Sequence, residues 1–106
     1  MTTSGATVRV PVRIPTALRQ LAGGERTVLV EIESSGADGA VTVGAVLDAL
    51  AMAHPPLERR VRDELGQTRV HVNLFVGADN IRDLDGLATP VGPGQEVSII
   101  PAISGG

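Results

Sequence analysis

The sequence closes on Ser104-Gly105-Gly106, and the residue with the most chemical promise is the last one. A carboxylate is a poor electrophile until it is activated. Joined to a nucleotide phosphate from ATP it becomes a mixed anhydride open to attack, and a glycine at that carbon leaves it unhindered. Two glycines without Cβ also thread a narrow channel and accept backbone angles closed to other residues. The apolar run Ile99-Ile100-Pro101-Ala102-Ile103 precedes them. Proline cannot donate to a strand ladder, so the chain is expected to leave its sheet there. Four or five extended residues reach roughly 13–18 Å, enough to enter a partner's active site while the body docks outside. The competing reading is a frayed end, since termini commonly lack order. The short distance from a last strand to the glycines favours chemistry.

Other residues offer less. The chain has no cysteine, which excludes disulfides, thiolate metal sites and a cysteine persulfide. His54 and His71 are the two histidines, too few for a metal centre without carboxylate help that the spacing does not suggest. Asp83 and Asp85 stand two apart with no accompanying nucleophile or base, so they read as turn chemistry. Arg59, Arg60 and Arg62 with Glu58, Asp63 and Glu64 read as a solvated helix face, with Glu58–Arg62 as an i,i+4 pair. His54, just before Pro55-Pro56, reads as a helix-end residue. No nucleophile–base constellation can be assembled, and the chain is expected not to be an enzyme.

At 106 residues the chain is expected to form one domain, with 42% hydrophobic and 20% charged residues as in a globular protein. The net charge of −3 and the single aromatic residue, Phe75, argue against nucleic acid as a partner. All nine basic residues are arginine, so no side-chain amine is present to receive an isopeptide bond. Met1–Ala6 lacks the basic and apolar regions of a signal peptide, and no apolar run is long enough for a membrane span. A cytoplasmic location without a membrane partner is the expectation.

The elements that must position the terminal glycine follow from periodicity. Residues 7–14 alternate strictly, with Val8, Val10, Val12 and Ile14 on one face and Arg9, Pro11 and Arg13 on the other. Pro11 must lie where the ladder needs no N–H. Pro15 opens a short turn or helix with Leu18 and Leu21, closed by Gly23-Gly24. Residues 26–32 alternate again through Val28, Val30 and Ile32, which predicts a hairpin-like opening. After a polar loop over Ser34–Gly39, Thr42 is a helix N-cap, and Val43, Val46, Leu47 and Leu50 follow at helical spacing. Pro55-Pro56 ends that helix, and Pro56 starts a shorter one burying Leu57, Val61 and Leu65 and stopping at Gly66. Residues 70–76 form a third strand, Gly77–Asn80 a turn, and Ile81-Arg82 a brief returning strand. Glu96–Ile103 is the last strand.

The order β-β-α-β-(β)-β is the β-grasp plan of the α+β class. It predicts a mixed sheet of four to five strands, covered by one main helix and a short second one. The first and last strands would be adjacent and parallel at its centre. The domain is expected to span residues 7–102, with a flexible N-terminus at 1–6 and a flexible Gly-Gly tail at 103–106.

The segments Ile14-Pro15-Thr16-Ala17-Leu18-Arg19 with Gly23-Gly24, and Val72-Asn73-Leu74-Phe75-Val76 with Ile81-Arg82, match a known pattern. So does the run from Gly86-Leu87-Ala88-Thr89-Pro90 through Gly94, Val97 and Ile99–Ile103 to Gly105-Gly106. With these the chain resembles the MoaD/ThiS-type ubiquitin-like sulfur carriers, most closely their CysO-type branch. The resemblance implies a cycle. An E1-like adenylyltransferase/sulfurtransferase uses Mg-ATP to adenylate Gly106, and a sulfur donor converts the adenylate to a thiocarboxylate. A second enzyme, cysteine-synthase-like by the closest likeness, accepts the sulfur. ATP and Mg belong to the activating enzyme, with no cofactor held stably by the carrier. Gly105 and Ser104 would give the tail its access, although the family often has alanine where Ser104 stands. The turn Gly77-Ala78-Asp79-Asn80 also departs from the family's pattern, which leaves molybdopterin, thiamin or secondary-metabolite sulfur pathways open beside cysteine synthesis. A modifier conjugated to target lysines through Gly106 is the alternative, and an interaction domain with an idle tail is the third reading.

If Val72, Leu74 and Val76 face the helix, then His71, Asn73 and Phe75 face outward with Arg9, Arg13 and Ile100. That arrangement would suit partner docking. Packing of Phe75 beneath a loop is the other reading of the same pattern.

Overall fold

The structure is a computed structural model and describes residues 7–33, 41–92 and 94–101. The expectations placed on residues 1–6, on Ser34–Gly39, and on Ala102 through Gly106 lie outside the described residues.

The first strand, β1 (Thr7–Arg13), pairs antiparallel with β2 (Thr27–Glu33). Val10, Val12 and Ile14 are almost fully buried, while Arg9 and Arg13 are exposed, as the alternation predicts. Ile14 donates its N–H to Arg26 O, so Val12 and Val10 fall on hydrogen-bonded pairs with β2 and Pro11 between them. The other neighbour of β1 is β7 (Val97–Pro101), whose register with β1 begins only at Val12. The missing donor of Pro11 therefore breaks no ladder. Between β1 and β2 the chain makes a 3₁₀ helix over Thr16–Ala22, ended by Gly23 and Gly24 at φ 67° and 86°. Those left-handed angles are why two glycines stand there.

Thr42 closes the two-residue strand β3 (Val41–Thr42) and caps α1 (Val43–Ala53), its Oγ1 accepting from Ala45 N at 3.2 Å. The N–H of Val43 donates to Thr89 O, so the helix start is also tied to the loop before the last strand. Val43, Val46, Leu47 and Leu50 are fully buried against the inner sheet face. Thr42→Ala is expected to lower stability by about 1 kcal/mol, because Ala45 N–H loses its cap. Chemical denaturation checks it, and a loss below about 0.3 kcal/mol would show that the cap is idle.

His54 joins the helices: its N–H donates to Leu50 O, and its carbonyl accepts from Leu57 and Glu58 at the start of α2 (Pro55–Val61). The second helix is shorter than its sequence predicts. It stops at Val61 because Arg62 adopts extended backbone and bridges to Thr68. Asp63 Oδ1 then accepts from Leu65 N and Gln67 N, closing a turn that leaves Leu65 80% exposed rather than buried.

The third long strand, β4 (Val72–Val76), begins two residues later than its hydrophobic run, because Val72 N donates to Arg69 O and closes a turn. Its phase is the expected one, with Val72, Leu74 and Val76 buried. The returning strand is β5 (Asp79–Asn80), ahead of the predicted Ile81-Arg82. Asn80 Oδ1 accepts from Arg82 N and starts a 3₁₀ turn over Ile81–Asp83, which buries Ile81 in the core. A further short strand, β6 (Pro90–Val91), pairs with β3 in a small second sheet that periodicity could not reveal. The main sheet has the order β2-β1-β7-β4-β5, with β1 and β7 parallel near its centre and α1 and α2 packed on one face. This is the β-grasp arrangement.

The mixed charges around α2 are a solvated face only in part: Arg59, Arg60 and Glu64 are exposed, but the Glu58–Arg62 pair is not. Glu58 is buried, and Arg62 donates from Nε to Glu58 Oε2 and from Nη2 to Asp48 Oδ1 on α1 at 2.8 Å. Burial alone would lower the Arg62 pKa, but the hydrogen bonds and charges of Glu58 and Asp48 hold it above the usual arginine value. The guanidinium thus ties α2 to α1.

Candidate functional site

The last described residue, Pro101, ends the strand that lies between β1 and β4. Its pairing is lopsided. On one side β7 pairs with β4 along its whole length, from Val97↔Val76 to Val72↔Pro101. On the other, β1 accompanies it only at Val97 and Ser98. Past that point β1 has turned away at Pro15 into its 3₁₀ link, and Ile99, Ile100 and Pro101 run beside that link. The core holds Val97 and Ile99, so the final strand is anchored before the chain passes Pro101.

Two shallow grooves flank Pro101. One, of about 450 Å³, runs between the 3₁₀ link and β7 and is lined by Arg13, Thr16, Arg19, Ser98 and Ile100. The other, of about 510 Å³, is lined by Leu18, Arg60, Arg69, His71 and Val72. Arg19 is held by its own strand end, donating Nε to Ile14 O at 3.1 Å. Arg69 is held likewise, with Nε on Arg59 O at 2.8 Å. Among the described residues none of Arg13, Arg19, Arg60 and Arg69 makes an ion pair; those present join Arg9 to Glu31 and Arg62 to Glu58 and Asp48.

The outer sheet face carries the residues expected there, though not as one cluster. Arg13, Ser98 and Phe75 form a row across β1, β7 and β4, and Ile100 lies diagonal to Phe75 beside Asn73. Phe75 is half-buried and Ile100 is 46% exposed. Arg9 stands apart. It is four residues before Arg13, about 13 Å along the strand, and donates to Glu31 Oε2 at 3.0 Å. Sequence reasoning did not pick out Leu29, opposite Pro11 and 62% exposed on the same face, nor Arg19, Arg60 and Arg69. The break in alternation at Leu29 was a readable signal; nothing in the spacing joins those arginines.

No described group of three or more His, Asp or Glu side chains converges to hold a metal ion. Asp85 serves a turn, accepting through its carbonyl from Ala88 N and donating its N–H to Thr89 Oγ1. No described helix is long and apolar enough to cross a membrane.

A helix-covered mixed sheet with parallel first and last strands, the last leading to Gly105-Gly106, defines a ubiquitin-like β-grasp protein. Residues 12–106 match the model of the ThiS family, and the chain belongs to that family. It is similar to the sulfur carrier protein CysO of Mycobacterium tuberculosis, 35% identical over 93% of this chain and 100% of that protein. It is also similar to small archaeal modifier protein 1 of Haloferax volcanii, 37% identical over 78% of this chain and 85% of that one. Among solved structures, a chain from the Amycolatopsis orientalis BexX/CysO complex superposes with a TM-score of 0.74 at 32% identity, covering 92% of this chain and 99% of that one.

Proposed function

We propose that this protein is a sulfur carrier in which the carboxylate of Gly106 is the working group. A carboxylate oxygen attacks the α-phosphorus of ATP on an E1-like enzyme, giving the acyl-adenylate and releasing pyrophosphate. A sulfide-level donor then attacks the carbonyl carbon, the bond to AMP breaks, and the thiocarboxylate forms. Its sulfur passes to a biosynthetic enzyme, for which the CysO-type resemblance of the sequence implies a cysteine-forming acceptor. The observation that carries this reading is the family match, which extends from residue 12 to Gly106, together with a last strand placed centrally in the sheet. Ser104 and Gly105 give access, and the chain's own side chains supply no catalysis. The outer face with Arg13, Phe75 and Ile100 is assigned to docking on the activating enzyme, with Arg9 outside its centre. A neighbour solved as a complex with BexX supports a working state bound to a second protein.

Similarity to small archaeal modifier protein 1 favours one second reading, conjugation of Gly106 to lysines of other proteins. Both uses start from the same adenylate and differ in the nucleophile that attacks it. Intact mass spectrometry after incubation with the cognate activating enzyme, Mg-ATP and sulfide separates them. The carrier reading expects a mass gain equal to replacement of one oxygen by sulfur. Covalent ladders on other proteins, with no such gain, would establish the modifier instead. Neither product would overturn both.

A further inference from the structure

The arginines around the exit of the last strand are in part held by the fold but are not neutralised by it. Arg13 and Arg19 line one groove beside Pro101, and Arg60 and Arg69 with His71 line the other. Among the described residues no aspartate or glutamate lines either groove, although the chain carries twelve aspartates and glutamates and a net charge of −3. These arginines come from three separate parts of the chain: the end of β1 with its 3₁₀ link, α2, and the turn before β4. Gathering four like charges at one end of an acidic protein costs self-repulsion, unless an opposite charge arrives. Among the described residues, Arg9 and Arg62 are ion-paired, whereas these four arginines have no carboxylate partner. Their headgroups also remain available, because the bonds of Arg19 and Arg69 use only Nε and leave the terminal nitrogens for a bidentate acceptor.

We propose that these four arginines form a collar that docks on a carboxylate-lined rim, the protein surface around the channel through which a partner enzyme takes the tail. The inference rests on the proposed function and adds the chemistry of the contact. The reach of the tail decides the occupant. Residues 102–106 separate the collar from the Gly106 carboxylate, a span of about 16 Å when extended. With the tail extended into an active site, the collar sits outside it, too far to touch the ATP phosphates. What it meets is the partner's rim. Carboxylates there would steer the carrier tail-first, raising its association rate and setting its register.

Two measurements test this. In the first, a decapeptide of alternating aspartate and glutamate is titrated into the nitrogen-15-labelled carrier at low salt. Shift changes are expected at Arg13, Arg19, Arg60, Arg69 and His71. They should disappear in R13E/R60E and persist in R26E/R59E, a variant of equal net charge altered off both grooves. Shifts elsewhere, shifts indifferent to R13E/R60E, or stronger binding of inorganic phosphate or single-stranded DNA than of the peptide would overturn the collar. In the second, KM for the carrier is measured with the cognate activating enzyme. R13E/R60E is expected to raise it at least about tenfold at low salt with kcat unchanged, and R26E/R59E to change it far less. R13K/R60K should restore most of the loss. Equal effects of the two charge-reversed variants, or none, would overturn the docking role. A wild-type carrier that is never loaded would instead sink the proposed function, and the titration alone then decides the collar.

Discussion

Removing Gly106, so that Gly105 becomes terminal, is expected to slow loading by the activating enzyme by at least about 10²-fold. The reason is distance. One residue withdrawn from an extended tail pulls the carboxylate back by about 3.3 Å, and misplacement of a reacting atom by about 1 Å already costs that much. Gly106→Ala tests a second element of the argument: it keeps the length and adds one Cβ beside the reacting carbon. It is expected to fall between the shortened chain and wild type. Both variants should unfold at the wild-type temperature, because among the described residues the core residue nearest the end is Ile99. Single-turnover loading followed by intact mass provides the measurement. Wild-type rates in the shortened chain would show that loading does not depend on Gly106 and would remove that residue from the site.

The second large effect is on stability. Arg62→Met is expected to destabilise the fold by about 2–4 kcal/mol, somewhat below the range for a fully buried pair. The side chains of Arg62 and Glu58 are 14% and 11% exposed, so losing the guanidinium strands a mostly desolvated carboxylate between α1 and α2. In a domain of this size the melting temperature should drop by more than about 10 °C. The partners do not contribute equally. Asp48 is 74% exposed, and Asp48→Asn is expected to cost less than about 1 kcal/mol. The double variant Glu58→Leu with Arg62→Met removes the stranded charge and should recover more than half of the loss. Because Arg62 is held above the ordinary arginine pKa, its contribution is complete at any pH below the unfolded value and would fade only as pH rises through the still higher folded one. The penalty of Arg62→Met should therefore be the same at neutral and mildly alkaline pH. A loss below about 0.5 kcal/mol would mean that the two helices hold together without this link.

Strict alternation was enough to place β1 and β2 and to assign the phase of β4, since a strand's side-chain period of two admits only two phases. Helical spacing did the same for the four buried residues of α1, and Thr42 and the left-handed pair Gly23-Gly24 marked element ends through their own chemistry. The proposal for the Gly106 carboxylate likewise rests on residue type and order, because its chemistry needs no other part of the chain.

What periodicity could not carry was anything settled by a distant partner. Leu65 continues the helical stripe of Leu57 and Val61, yet the Arg62–Thr68 bridge and the Asp63 turn take the chain away and leave it exposed. The i,i+4 pair of Glu58 and Arg62 reads as a surface pair until α1 packs on α2, burying it and bringing Asp48 to Arg62. Ile81 reads as a strand residue until Asn80 caps a 3₁₀ turn that sends it inward. The arginines beside Pro101, separated by dozens of residues, meet only because β7 lies between β1 and β4. The sequence by itself determined the elements with their own periodicity, and it alone carries the proposal for the terminal carboxylate. Tertiary structure decided which charges are buried and which are gathered at the exit, because Coulombic and desolvation energies depend on distances in space that residue spacing does not contain.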